Sequence, residues 1–288
     1  MSYADWMALA AAIFAGLSGA SAVVAYLLQR RTQATSDENQ VNDLIEKMQK
    51  ALADLDASRT ITAEKFAANN VALARLRGQA LEARKVITRA RIKPNWFQNM
   101  VLAYAFSQTG DLKSADPYWQ GAVTAALASN NHPAHVSSLA ARAEFYYNRH
   151  LDNDWELARE DFNAAKNELD KDPDRQGPDL TAQQVAVLLL QQAAFELDAE
   201  GQSTAVPLIV AAFMKANTIG AQWRRRTVLE NLGNLVAGTQ QKAGFPDLLQ
   251  QVAAELSQRD PDIAAMLPAA FAPVPADGTL FAGQPAEH

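Results

Sequence analysis

Two hydrophobic patterns divide the chain: an uninterrupted apolar run near its start and a helical periodicity through most of the rest. Residues Trp6–Leu28 include no charged side chain. As a helix, at a rise of ~1.5 Å per residue, they would cover roughly 34 Å, enough for a hydrocarbon core of ~30 Å. Beyond about residue 40, apolar residues recur every three or four positions, and no stretch alternates convincingly as a strand would. The pattern predicts an all-α fold, with a single N-terminal transmembrane helix followed by a helical body.

The residues that flank the apolar run favour a retained membrane anchor. Asp5 is the only charge before it, and Arg30 and Arg31 follow it directly. Because positive residues accumulate on the cytoplasmic side, this bias predicts that residues 32–288 are cytoplasmic. A cleavable signal peptide and a buried core helix are the alternatives. The acidic N-terminus and the length of the run weigh against the first, and the two arginines weigh against the second.

One face of this predicted span carries small residues at three- and four-residue spacing. Such a face lets two helices approach closely in lipid, which predicts lateral association into a homo-oligomer. The alternative is that alanine and glycine simply compose a weakly apolar span. The predicted association face consists of Ala12, Gly16, Gly19, Ala20 and Val23.

We expect four segments along the chain. Thr32–Asn39 is polar and is predicted to be a short linker. Helical spacing predicts one helix from Val41 to about Leu55 and a second over Thr60–Lys93, and we expect the two to form a hairpin that caps the body. The end of the chain is rich in proline and alanine and is expected to be flexible. The predicted boundaries are residues 1–31 for the anchor, 32–94 for the linker and long hairpin, 95–258 for helical repeats and 259–288 for the tail.

Within residues 95–258 the predicted helices come in pairs, separated by loops rich in Asn, Asp, Gly and Pro. His132 and His135 are expected in one such loop, solvated. The predicted pairs are Trp96–Gln108 with Lys113–Ser129, Val136–Arg149 with Trp155–Leu169, Thr181–Ala199 with Ala205–Ala216, and Gln222–Thr239 with Pro246–Ser257.

The first two pairs share an order of small and bulky residues that resembles the tetratricopeptide repeat, in which small residues stand where two helices touch. The third and fourth pairs match more loosely. Corresponding alanines are about 40–47 residues apart, whereas the family unit has 34. A general α-α solenoid is therefore the alternative. The matching residues are Ala103, Ala115, Trp119 and Ala122 in the first pair, Ala143, Ala158, Phe162 and Ala165 in the second, and Ala205, Ile209 and Ala212 in the third.

The resemblance implies a binding groove, because in that family the first helix of each pair lines the concave face. Met100 and Tyr104 could equally be core residues. By this resemblance the groove residues are Met100, Tyr104, Ser107, Gln108, Glu144, Tyr147 and Asn148.

Composition and the absence of known motifs exclude several classes of function. The chain has no cysteine, which excludes disulfides and thiolate chemistry, and its net charge of −6 argues against general nucleic-acid binding. It contains no phosphate-binding glycine loop and no hydrolase or metalloprotease motif. We therefore expect no enzyme activity, no cofactor and no metal site. Glu168 is expected to lie on an outer face. Five carboxylates are expected to form a solvated helix N-terminus: Asp152, Asp154, Glu156, Glu160 and Asp161.

Two basic islands, Arg84–Lys93 and Arg224–Arg226, stand out in this acidic chain. They are either solvated helix faces or contacts with anionic lipid.

These observations favour a membrane-anchored interaction scaffold that presents a groove for a protein or peptide partner at the cytoplasmic face. The alternative is an envelope-assembly helper whose helical body lies in the periplasm or outside the cell. Topology distinguishes the two.

Overall fold

The computed structural model describes residue 29 and residues 31–55, 63–149, 154–171, 177–240 and 247–265. The predicted membrane span and its association face lie outside these ranges, as does the part of the predicted 259–288 tail from residue 266 onward. Within the described ranges, no helix has both the length and the apolar content needed to cross a bilayer.

Helices are the only regular elements in the described ranges, which confirms the prediction of an all-α fold. They are α1 (31–55), α2 (Ala63–Ala90), α3 (Trp96–Gln108), α4 (Leu112–Ala128), α5 (His132–Arg149), α6 (Asp154–Asp170), α7 (Pro178–Ala199), α8 (Gln202–Asn217), α9 (Gln222–Gln240), α10 (Leu248–Arg259) and the short α11 (Pro261–Ala264). Two compact units, residues 1–129 and 130–288, divide the chain.

The predicted linker Thr32–Asn39 is instead part of helix α1, so this prediction was wrong. One of its polar residues, Asp37, has a hydrogen-bond partner that is distant in sequence. Asp37 is buried and accepts hydrogen bonds from Gln33, at 3.1 Å, and from Arg89 of α2, at 2.8 Å. A buried carboxylate with a cationic partner is compatible with a helix that packs against its neighbour.

Helices α3 and α4 form the first hairpin of the predicted repeats. Asn95 starts α3 with a capping box, in which its side chain accepts from Gln98 N and its own N–H donates to the Gln98 side chain. Gly110 makes the turn at φ +75°, which is unstrained only for glycine. The small residues of the predicted pattern lie in the core without exposed surface, and Trp119 is buried beside them.

Helices α5 and α6 repeat this arrangement in the second unit, with Ala143, Ala158, Phe162 and Ala165 all fully buried. Helix α5 begins four residues earlier than predicted, at His132. Asn131 explains the early start because its side-chain oxygen accepts from Ala134 N and its carbonyl accepts from His135 N.

A third hairpin, α7 with α8, follows, and it buries Ala205, Ile209 and Ala212 as the pattern predicts. Helix α9 packs on α7, and α10 packs on α8. Asp179 holds the start of α9, since its carboxylate accepts from Gly220 N at 2.9 Å and Ala221 N at 2.7 Å. Consecutive helices thus pack as hairpins, an arrangement compatible with a helical-repeat solenoid.

Candidate functional site

The predicted groove residues of the first unit lie along α3 and are partly committed to packing. Tyr104 meets the Trp119 ring edge-on at 4.6 Å. Ser107 accepts a hydrogen bond from the Trp119 indole N–H at 3.2 Å and donates to the Ala103 carbonyl at 2.7 Å. Met100 is half-buried and Gln108 is exposed. Gln108 is therefore the residue of this set that offers a partner the most open position.

The predicted groove residues of the second unit lie along α5 and differ sharply in exposure. Tyr147 is only 2% exposed, stacks on Phe195 at 5.2 Å and donates its hydroxyl to Glu196 at 2.6 Å. It therefore offers a partner almost no surface. Asn148 is exposed, and its amide donates to the Glu144 carbonyl. Glu144 is half-buried, and burial raises the pKa of its carboxyl.

Tyr147 belongs to a buried polar network that joins α5, α6 and α7. Arg159 of α6 binds Glu196 of α7 through two parallel hydrogen bonds, of 2.6 and 2.7 Å, and also contacts Glu200 at 2.7 Å. Burial alone would disfavour the charged carboxylate of Glu196, but the hydrogen bonds from Arg159 and Tyr147 outweigh it and lower its pKa. Burial and the bond to Glu196 raise the pKa of the Tyr147 hydroxyl. This network links three helices, and local spacing in the sequence does not reveal it because Tyr147 and Glu196 are 49 residues apart.

Two further ion pairs correct the expected solvation of the acidic residues in α6. Asp154 is buried and accepts both hydrogen bonds of the Arg149 guanidinium, at 2.6 and 2.7 Å. Asp161 is buried as well and binds Arg142 in the same two-pronged way. These carboxylates are paired inside the hairpin, so the prediction of a solvated cluster was wrong for both.

His132 and His135, expected in a solvated loop, lie in the first turn of α5 and face the end of α6. His132 Nδ1 lies 2.6 Å from Glu168 Oε1, while His135 Nδ1 lies 4.0 Å from the same oxygen. Lys171 also pairs with Glu168, at 2.7 Å. Glu168 is buried, which corrects its expected place on an outer face. In the part of the chain that the structure describes, no three His, Cys, Asp or Glu side chains are placed to hold a metal ion.

A polar cleft of about 430 Å³ lies between the start of α8 and the second half of α10. Gln251 donates across it to Gln202 at 2.6 Å. Amides and short side chains dominate the lining, and the cleft holds no paired nucleophile and base. It can hydrogen-bond a polar segment, but its residues do not form a catalytic arrangement. The lining residues are Gln202, Ser203, Val206, Gln251, Ala254, Glu255, Gln258 and Arg259.

Several large apolar side chains of the described residues remain exposed. Trp223, at 63% exposure, precedes the second basic island, and Arg224 stacks on its ring at 4.3 Å. Each arginine of that island has a neighbour: Gln183 for Arg224, Asn217 for Arg225 and Glu230 for Arg226. The other exposed apolar residues are Val71, Phe97, Leu127 and Leu157.

No protein-family model matches the chain, and neither a curated protein nor a solved structure matches it.

Proposed function

We propose that this chain is a membrane-anchored interaction scaffold whose tetratricopeptide-like hairpins bind a protein or peptide segment at the cytoplasmic membrane face. The observation that carries the proposal is the succession of packed helical hairpins. Their small residues lie at the helix contacts, and their buried charges are paired within the fold. An isolated hairpin cannot bury its apolar face, so hairpins of this kind stack and leave helix surfaces for recognition.

The polar chemistry of the hairpins supports a binding role. The buried carboxylates Glu196, Asp161 and Asp154 each bind an arginine through two hydrogen bonds. These ion pairs position helices, and we propose no role in proton transfer for the three carboxylates. The proposed role needs neither cofactor nor metal. The accessible positions of α3 in the first unit, and separately those of α5 in the second, are the proposed partner contacts.

Site-specific photocrosslinking of the full chain in membranes tests this proposal. A photoreactive phenylalanine analogue is placed at Gln108 on α3 or at Asn148 on α5, both exposed. Matched controls carry it at Gln120 on α4 or Glu160 on α6, which are also exposed. We expect each of the first two positions to crosslink to a partner protein and the controls not to. Equal capture from all four positions, or from none, would contradict a groove formed by the first helix of each hairpin.

A further inference from the structure

A cluster of positive charge lies where α2 ends and α3 begins, and it contrasts with the net charge of −6 of the whole chain. Arg89, Arg91 and Lys93 are exposed there, and Lys85 is exposed one turn earlier on α2. Glu82 is the only acidic residue between positions 75 and 93. Its carboxylate accepts a hydrogen bond from Gln40 of α1. The cluster is therefore strongly cationic.

Antiparallel packing brings this cluster to the beginning of α1. Arg89 binds Asp37 at 2.8 Å, and Gln40 donates to Glu82 at 3.2 Å, so the end of α2 lies beside the start of α1. Asp37 is six residues after Arg31, which is about 9 Å along a helix. Asp37, which is paired, and the exposed Glu38 are carboxylates at this end, and Asp43, which adjoins Asn42 further along α1, pairs with Lys47. The cationic side chains thus lie close to the point where the proposed anchor ends.

Two aromatic side chains accompany the charges. Trp96 and Phe97 open α3 with their rings 5.7 Å apart in an edge-to-face arrangement, and Phe97 is 37% exposed. Gln98 donates to Asn42 of α1 at 2.7 Å, which holds the start of α3 against the same helix. Aromatic rings beside cationic side chains are typical of surfaces that lie at the membrane–water interface.

Arg91 occupies a backbone position that favours glycine. Its φ is +53°, and Ile92 N donates to the Ile87 carbonyl, which closes the end of α2 in the manner of a Schellman motif. A side chain there is strained, whereas glycine is not. Replacing Arg91 with glycine therefore removes a charge and relieves backbone strain together.

We propose that this basic aromatic surface, formed by Lys85, Arg89, Arg91, Lys93, Trp96 and Phe97, binds the headgroups of anionic lipids. The inference rests on the proposed anchor, which would hold the surface near the bilayer. Near an anionic leaflet each Lys or Arg strengthens binding by roughly fivefold. Contact of the first unit with the membrane would fix the orientation of the α1–α2 hairpin relative to the bilayer.

Fluorescence quenching in lipid nanodiscs tests the inference with the full chain. Because the sequence has no cysteine, a single cysteine introduced at Thr88 carries a fluorophore at the cluster, and one at Ala53 reports on the far part of α1. Both positions are exposed. The quencher is a spin label on a lipid headgroup, and the discs contain either neutral phosphatidylcholine alone or about one third phosphatidylglycerol. We expect quenching at Thr88 to be at least about twofold greater on anionic discs, to fall in 1 M salt and to be weak at Ala53.

The charge variant is Lys85→Gln with Arg91→Gly and Lys93→Gln. Its matched control removes three charges elsewhere, as Lys47→Gln with Lys50→Gln and Lys215→Gln. We expect the first variant to lose the dependence on anionic lipid and to unfold no more easily than the parent, and the control to keep the dependence. Equal quenching on both kinds of disc, no effect of the charge variant, or displacement of the signal by a single-stranded oligonucleotide would overturn the inference. Extraction of the membranes with carbonate separates the two proposals. A chain that carbonate releases from the membrane contradicts the proposed anchor. A chain that stays in the membrane but shows no lipid-dependent quenching contradicts only the proposed lipid-binding surface.

Discussion

Glu196 shows how much of this fold depends on a single buried carboxylate. It is 2% exposed and receives hydrogen bonds from two helices, through Tyr147 of α5 and Arg159 of α6. Burying a charge is costly unless it is paired, and two parallel bonds from a guanidinium are among the strongest pairings available. The same arginine contacts Glu200, which is more exposed, so the two glutamates share Arg159 but differ in burial and in the additional bond that Glu196 accepts from Tyr147.

Replacing each glutamate with alanine should separate these contributions. We expect Glu196→Ala to lower the free energy of unfolding by about 2–3 kcal/mol, because it leaves Tyr147 and Arg159 without their buried acceptor. Glu200→Ala should cost less than about 1 kcal/mol, since solvent screens that pair. Urea denaturation followed by circular dichroism measures both. Equal losses would mean that burial does not govern the strength of this network.

His135 should make the stability of the second unit depend on pH. Burial lowers the pKa of its imidazole, against the opposing effect of Glu168, while Lys171, His132 and Arg142 act in the same direction as burial. Below about pH 6.5, the ordinary pKa of histidine, this imidazole is therefore protonated to a greater extent in the unfolded chain than in the folded chain. Stability consequently falls as the pH falls.

The variant His135→Phe removes this titration. Its stability relative to the parent should rise as the pH is lowered from 7 to 5, as followed by the urea midpoint at each pH. Parallel midpoints over that range would contradict the prediction. His132 is present in both proteins, and the lowered pKa of Glu168 keeps that carboxyl charged across this interval.

At the scale of elements, adjacent alanines in α6 provide a direct test of the repeat packing. Ala165 is fully buried and corresponds to a close-contact position of the pattern, whereas Ala164 is exposed. Ala165→Leu should cost about 1–3 kcal/mol through overpacking, and Ala164→Leu should change stability little. Thermal unfolding of the two variants gives the comparison. Similar melting temperatures would remove the assignment of Ala165 to a helix contact.

Local periodicity predicted most of the described helices, and it failed where a distant residue decides. Helix α3 occupies the predicted Trp96–Gln108 because its cap, its apolar spacing and the turn after it are all local signals. The start of α5 is a different case, because its signal is local: Asn131 caps the helix, although the polar stretch around it predicts a loop. The polar residues 32–39 predict a linker because local spacing does not show that Asp37 pairs with Arg89, 52 residues away.

The candidate site was less predictable than the helices, for the same physical reason. Hydrophobic spacing identifies which residues of a helix face inward, but not which polar side chain meets which across two helices. The tetratricopeptide resemblance implies a groove position for Tyr147, yet its hydroxyl donates to Glu196 in the interior. Gln108 and Asn148 are exposed, in agreement with a surface position. The photocrosslinking experiment tests whether they contact a partner.

For the whole molecule, the arrangement of charge at the two ends of the proposed anchor determines the expected topology. Asp5 precedes the apolar run and Arg30-Arg31 follow it. The basic cluster at the end of α2 adds positive charge near the same end of α1. Both features favour a location of the helical body on the cytoplasmic side of the membrane, where positive residues accumulate. We therefore predict an external N-terminus and a cytoplasmic body.

Single-cysteine labelling measures this topology, because the chain has no thiol of its own. In spheroplasts, a membrane-impermeant maleimide should label Ser2→Cys but not Asn148→Cys, and after lysis it should label both. Asn148 is exposed on α5, so protection of a cysteine there would come from the membrane and not from the fold. Labelling of Asn148→Cys before lysis would place the body outside and favour the envelope-assembly alternative. A mature chain that has lost the Ser2→Cys thiol would show cleavage of the apolar run, and the arginines after it would then mark the end of a signal sequence instead of a membrane stop.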